Sequence, residues 1–485
     1  MKRKTHIDMK YYRMYQNMGM HRNVSPLAVL KGEWKKIVNW DIAKIGAATK
    51  RDGYQTILNA PDASEILSII PFKVGATRKL IMINAAGKLY VADPIVDSTW
   101  GTAKLTGLNT SARWTGAMLH DDSGNAIMIL GNGYQTYRTT DANTFVNANA
   151  TDGAPLAPYW TAWQERVYGA GVPADKDVLH WCSIGDVTNW SAVSPSDSNS
   201  LNIDKFAGGV IQNIRMINDR VVIWKEELTK RWDEEYLRTV RDSDGLTAPY
   251  SLADIKGMAF TLDRNAVRLY DGNEPQEISS KIEDLIIGID MGSANLPRIC
   301  GAVFNKRYHL SVGTITDEDG ETTSNAWIVY DYNKNAFWLY SLAKQATAMC
   351  TLRCSDGVER MYFGDASGTV YQMFSGDTDN GEEISAILEG HIFYPVGTEI
   401  FIEPKKIIVA SKFGHEMKVQ LRDDYSDNTM TIGEFNKPVS HNITDKLGNN
   451  VLGLSVNVAH ATKGKPIFYG FTLGYEVEGA KMMLE

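Results

Sequence analysis

The chain has 485 residues, of which 44% are hydrophobic and 22% charged, with a formal net charge of -8. That length exceeds one ordinary domain unless the fold is a repeat. A 10% aromatic content with ordinary charge density excludes bulk disorder, and the acidic balance excludes a protein that grips nucleic acid through its overall charge.

Charge is concentrated at the start. Residues 1–51 hold twelve Lys and Arg against Asp8, Glu33 and Asp41, a local +9, which leaves -17 on the remainder. A basic start on an acidic body suggests electrostatic docking on an acidic neighbour, such as a second copy; a solvated tail accounts for it equally. Residues 1–50 are expected to form a basic N-terminal arm and lead-in segment, with Lys2, Arg3, Lys4, Lys10 and Arg13 as neighbour-docking residues. "MKRKTHIDMKYYRMYQ" has no apolar core of the secretory type. No later run nears the roughly 18 apolar residues of a membrane span. Cytoplasmic synthesis without stable membrane insertion is expected.

Short alternating segments dominate from there on. "RKLIMINAAGKLYVAD" (78–93), "NAIMILGNGYQTYRTT" (125–140), "GMAFTLDRNAVRLYDGN" (257–273), "NAWIVYDYNKNAFWLYS" (325–341) and "ERMYFGDASGTVYQMF" (359–374) each read strand, turn, strand. The first and last align with Gly87 on Gly368 and Tyr90 on Tyr371. Glycine suits a positive-φ turn, and the tyrosine returns into the sheet. These four are blade-turn residues. Hairpins recurring at such intervals predict an all-β chain, a β-propeller of about six or seven blades over 51–378; tandem β-sandwiches are the other arrangement. Residues 224–241 read as a helix through Leu228, Trp232 and Leu237, or as strand–turn–strand, and Ser280 as the N-cap of a short helix. The Asp/Gly-rich stretch 375–383 marks a boundary, with an additional antiparallel β-domain over 379–485.

Motifs that carry chemistry fail in detail. "YGAGVPADK" has Gly169 and Gly171 but Pro173 and no third glycine, and His415–Glu416 has Val419 where a second zinc-binding histidine would stand. The acidic turns "DDSGN" (121–125), "RDSDG" (241–245), "DEDGE" (317–321) and "DTDNGEE" (377–383) lack the spacing of a calcium loop. Cys350 and Cys354 read as buried thiols, since four cysteines in this length make no disulfide scaffold. The expectation is a non-enzyme with no catalytic, metal-binding or cofactor-binding residues and no cofactor.

"NWDIAKIGAATKRDGYQTI" (39–57), "DKDVLHWCSIGDVTNWSAVSP" (175–195), "NDRVVIWKEELTKRWDEEY" (218–236), "SNAWIVYDYNKNAFWLYSL" (324–342) and "FYGFTLGYEVEGAKMMLE" (468–485) together, in this order, resemble propeller-type tail hub or nozzle proteins of short-tailed bacteriophages, also called packaged-DNA stabilisation or tail accessory proteins. The resemblance implies a structural virion protein. Six copies would ring an axis below the portal and adaptor proteins, contact tail fibre, spike or needle proteins, and enclose genomic DNA without sequence-specific binding until ejection. The acidic body would let the genome slide. Two other classes stay open: a receptor- or carbohydrate-binding tail module using its aromatics, and a propeller-type glycan hydrolase with carboxylates converging at one mouth.

Overall fold

The computed structural model describes residues 9–477 apart from 16, 26–27, 45, 60–61, 121–125, 192–198, 234–235, 242–243, 399, 413–416, 424–428, 436–438 and 443–450. The chain is an all-β protein containing a β-propeller. Among the described residues, seven antiparallel sheets follow one another along the propeller portion. Their first strands are Ile66–Val74, Thr115–His120, Tyr159–Trp163, Ile211–Met216, Ala253–Ile255, Cys300–Phe304 and Ala348–Arg353. Each is the start of a meander, because short turns can join only neighbouring antiparallel strands.

The ring closes between the seventh sheet and the first. Strand Ala348–Arg353 packs on Ile66–Val74. The seventh sheet takes its fourth strand, Tyr54–Asn59, from ahead of the first sheet, with Met373 opposite Tyr54 and Thr369 opposite Asn59. Closure thus ties together segments more than 300 residues apart in sequence, and the short strands Thr378–Asp379 and Glu382–Glu383 continue the sheet beyond Tyr54–Asn59. Tyr54, 1% exposed, stands edge-on to Phe363 and Tyr371 at ring-centroid distances of 5.1 and 5.0 Å.

Both chain ends build a second β-body. One sheet orders Val439–Asn442, Ile402–Lys412, Ile467–Val477, Ala47–Lys50 and Trp40–Lys44, with Lys10–Met14 added along Ile467–Val477. The other runs from Glu33–Val38 through Ala386–Gly390, Leu454–His460 and Met417–Asp423 to Thr429–Phe435. Their inner faces share one core containing Trp34, Ile407, Val409, Val419, Val456 and Phe468. Residues 10–50 are therefore not an arm. Met14, Met20, Trp34, Ile37, Trp40 and Ile42 are all at most 8% exposed, and the apolar side chains, not the basic ones, decide where this segment goes. The C-terminal strands pair mainly with one another, and N-terminal strands extend both of their sheets, Lys10–Met14 and Ala47–Lys50 along Ile467–Val477 and Glu33–Val38 along Ala386–Gly390, so 379–485 is not separate from residues 10–50.

Two local readings resolve. Residues 224–241 take the strand–turn–strand form, through Val221–Lys225, Thr229–Trp232 and Leu237–Arg241, because Trp224, Leu228 and Trp232 bury against sheet neighbours. A short helix does span Glu283–Ile287, preceded by a 3-10 turn, but Ser280 is not its cap. The neighbouring Ser279 hydroxyl instead accepts the amide of Val267 at 2.9 Å.

Arg51 joins the two bodies. Its guanidinium grips Asp379 with both ends, Nη1 to Oδ1 at 2.7 Å and Nη2 to Oδ2 at 2.6 Å. The remaining donors reach Asn39 Oδ1 and the carbonyls of Asp52 and Ser341 at 2.7, 3.0 and 3.1 Å. All five guanidinium hydrogens thus have acceptors, and the side chain is fully buried. Removing one partner strands a charge in the interior. Asp379→Ala is expected to destabilise the fold by about 3–5 kcal/mol, and Arg51→Lys to recover little because an ammonium lacks the planar fork. Urea unfolding of the variants measures both; a loss within about 0.5 kcal/mol, the ordinary surface range, would show the clamp to be dispensable.

Candidate functional site

The loop "GDASGTVYQ" is held by its own aspartate. Asp365 Oδ1 accepts the amides of Ser367 and Thr369 at 2.9 and 3.0 Å, and Oδ2 accepts the Ser367 hydroxyl at 2.6 Å and the Tyr371 hydroxyl at 3.1 Å. Gly368 turns the chain at φ +83°, and a Cβ there would lie 2.9 Å from the Ser64 carbonyl oxygen. Burial first, and the Asp365 carboxylate next, push the Tyr371 phenol up to about 12. The turn at Gly87, φ +68°, uses the same frame with one part moved. Asn84 Oδ1 accepts the Lys88 amide at 3.1 Å, and its Nδ2 donates to Asp62 at 2.7 Å. The Tyr90 hydroxyl donates to the other Asp62 oxygen at 3.3 Å. Tyr90 and Tyr371 are each 3% exposed.

Three more hairpins repeat the device. Asp263 accepts the amides of Asn265 and Ala266, Asp331 those of Asn333 and Lys334, and Asn132 those of Tyr134 and Gln135, at 2.7 to 3.2 Å. Sequence reading singled out the glycine and tyrosine as the shared elements and gave no capping role to Asp365 or to Asn84, which stands in its place. Side-chain capping of a turn by these two residue types was the available signal.

The acidic turns pair with arginine. Asp317 accepts Arg22 Nη2 at 2.9 Å, Asp244 lies 2.9 Å from both Arg241 and Arg268, and Asp379 is held by Arg51. Turn 121–125 and the pair His415–Glu416 lie outside the described residues. Among the described residues no cluster of three His, Cys, Asp or Glu side chains has the geometry to hold a metal ion.

All seven first strands face one central cavity of about 330 Å³. Arg113, just ahead of the second sheet, crosses it. Its guanidinium lies 4.5 Å from the centre of the Tyr250 ring, beside the fifth sheet, and Nη1 donates to the Pro297 carbonyl, ahead of the sixth, at 3.1 Å. Arg298 braces the same end with a forked contact to Glu65, 2.8 Å on both arms. Further along, Arg215 and Asp254 pair at 3.2 Å with side chains 32% and 42% exposed. The propeller axis is thus strutted at one end and wetter beyond.

Two cavities flank Gly390–Ile392, where the second body meets the propeller. One, of about 410 Å³, is apolar and includes Leu30, Phe393 and Tyr12, with the Tyr12 and Phe393 rings stacked at 4.4 Å. The other, of about 520 Å³, is acidic and lies beside Arg22 and Asp284. Of the docking residues, Lys2, Arg3 and Lys4 lie outside the described residues. Lys10 and Arg13 sit exposed on strand Lys10–Met14. The four cysteines are buried, with the Cys350 thiol pushed up to about 12 by burial.

No protein-family model and no curated protein matches the chain. Among solved structures, the chain is similar to BBS1N, solved in complex with ARL6DN, at a TM-score of 0.41 and 10% identity, over 67% of this chain and 97% of that one. It is also similar to the extracellular domain of the putative one component system BT4673 from B. thetaiotaomicron, at a TM-score of 0.42 and 10% identity, over 88% of this chain and 61% of that one. Neither likeness bears on function. No helix among the described residues is long and apolar enough to cross a membrane.

Two outcomes follow. Gly368→Val, which meets both a positive φ and a backbone oxygen, is expected to cost a few kcal/mol in thermal unfolding; an unchanged Tm would show that the turn can relax. His309, 0% exposed against Trp327, Tyr340 and Phe374, has its pKa driven down to about 3 by burial first and Arg307 next. Its unfolded form binds a proton below its ordinary 6.5 while the folded form does not. Stability contributed by the neutral ring is therefore complete above pH 6.5 and falls as pH drops toward 3. His309→Phe should flatten that part of the stability–pH curve, and an unaltered acid limb would assign it to other groups.

Proposed function

We propose that this chain is a structural subunit of a bacteriophage tail, a ring-forming hub or nozzle that closes the portal–tail channel and retains packaged DNA until ejection. The observation that carries the reading is the pairing of acidic turns with arginines from distant segments. Arg22 reaches Asp317 and Arg51 reaches Asp379, and outside those turns Arg22 also reaches Asp284 and Arg298 reaches Glu65. At these turns Asp244, Asp317 and Asp379, carboxylates that a hydrolase or a calcium site would use, are instead cross-braces. Such bracing suits a part that bears load without changing shape.

The cavity volumes add a constraint. The major groove of a duplex is alone ~12 Å wide, so a strutted cavity of about 330 Å³ is no conduit for it. In this reading DNA runs between subunits, along a lumen formed by copies of the chain, and the -17 carried by residues 52–485 keeps phosphates from sticking. Portal, adaptor and fibre, spike or needle proteins would then bind the two ends of the ring.

Native mass spectrometry and electron microscopy of the purified chain test this. A closed ring of copies, six by the resemblance, is expected, together with duplex binding weaker than about 10⁻⁴ M at physiological salt. A chain that stays monomeric at all concentrations, or that turns over peptidoglycan or capsular polysaccharide, would overturn it.

A further inference from the structure

We propose that the central cavity of the propeller binds a small monocarboxylate with an apolar body, and that Arg113 recognises the carboxylate. The site lies within one chain, so it stands or falls separately from ring formation. Arg113 is 9% exposed and enters the cavity just ahead of strand Thr115–His120. A guanidinium does not give up its charge, and a buried charge without a counter-charge is costly. Arg22, Arg51 and Arg298 each meet that cost with a carboxylate. Arg113 has none among the described residues.

Everything Arg113 touches is neutral. Nη1 donates to the Pro297 carbonyl at 3.1 Å, and the guanidinium lies over the Tyr250 ring. The phenol of Tyr250 and the thiol of Cys300, which also interact with it, are both pushed up by burial and stay protonated. Asp254, the one carboxylate among the described residues lining the cavity, is engaged by Arg215 at 3.2 Å. The lining therefore holds one positive charge over, inside a chain whose net charge is -8. Nε of Arg113 is sealed off and takes no part. Nη2 also bonds to no described residue but is not sealed, which makes it the donor open to the cavity.

The walls set the class of ligand. A single surplus charge matches a monoanion. A phosphate monoester carries about -1.5 to -2 at neutral pH, and Asp254 would oppose the excess. Ile69, Met118, Met128, Leu252 and Met349 line the space and suit an apolar body. The Ser68 hydroxyl accepts the Trp114 amide at 2.8 Å and donates to no described residue, so its proton is a second donor for a carboxylate oxygen. At about 330 Å³ the cavity lies at the small end of ligand pockets, which span roughly 300–1,000 Å³. An acid of one ring fits there. The ligand enters from the end where Arg215 and Asp254 are exposed and meets Arg113 at depth.

Sodium benzoate and inorganic phosphate, titrated calorimetrically into the full chain at equal ionic strength, test this. Benzoate is expected to bind saturably, one per chain, and phosphate at least tenfold more weakly. Arg113→Met should weaken benzoate roughly tenfold or more, the worth of one charged hydrogen bond, with circular dichroism confirming the fold. Asp254→Asn changes an exposed side chain, releases Arg215, and should tighten benzoate severalfold and phosphate by more. Crystals grown with para-iodobenzoate should place the iodine on the propeller axis. Absence of saturable heat at millimolar benzoate would overturn the site. So would a folded Arg113→Met chain that binds benzoate as the wild type does, or iodine elsewhere with the cavity empty. Phosphate preferred over benzoate would overturn the monocarboxylate class. Should Arg113→Met fail to fold, Asp254→Asn decides: an unchanged benzoate affinity would overturn recognition by the surplus charge.

Discussion

Arg51 is the point on which the architecture turns. It lies between Lys50, which ends a strand of the second body, and Tyr54, which begins the strand that closes the propeller. Its guanidinium gathers Asn39, Ser341 and Asp379 into one buried node. Those partners come from the N-terminal segment, the end of the sixth sheet and the exit from the seventh. A ring closed by a strand from far away in sequence depends on fixing that strand's start, since loop closure over such a separation carries a large entropy cost. A planar five-donor cation can satisfy acceptors in several directions at once, which an ammonium cannot. Next to it, Lys50 is driven down to about 8 by burial and by the Arg51 charge, and its ammonium reaches the Thr462 carbonyl at 2.6 Å. One cation there is fully paired and its neighbour is strained toward neutrality.

The same logic recurs at smaller scale. Each turn aspartate bonds to its own backbone, and the returning tyrosine closes the frame where its hydroxyl can reach a carboxylate. In the first sheet the carboxylate comes from Asp62, outside the turn, and Asn84 bridges to it. The chemical group is kept while its source moves. That is what a structural requirement for a buried acceptor looks like: the tyrosine hydroxyl needs a partner, and any segment able to supply one will serve.

Hairpins and their turns were legible in the sequence because alternation and glycine are local signals. Gly87 and Gly368 both turn at positive φ, and their tyrosines both return to the core. The N-terminal segment was not legible. Its twelve cations within residues 1–51 obscured Met14, Met20, Trp34 and Trp40, whose partners are residues such as Phe468, more than 400 positions away. Composition reports what a segment carries, not what it packs against. The arginine partners of Asp317 and Asp379 were hidden for the same reason: Arg22 and Arg51 are roughly 300 residues distant in each case. Long-range pairing in an all-β ring is a property of topology, and no window on the sequence contains it.

The placement of charge separates two tasks that the raw totals confuse. Much of the basic excess near the start is consumed inside the molecule. Arg22, Lys35, Lys36 and Arg51 all face carboxylates contributed by later segments. Those pairs hold the second body to the sixth and seventh sheets, and they would do so in a monomer. Lys10 and Arg13 differ, since strand Lys10–Met14 presents them outward along an edge. An edge strand with protruding cations resists indiscriminate strand-to-strand addition, because like charges would face one another across the new pair. It remains open to an acidic surface. The charge that made this segment read as an arm thus acts on the edge of a sheet, where it guards backbone groups that the buried side chains of the same strand cannot cover.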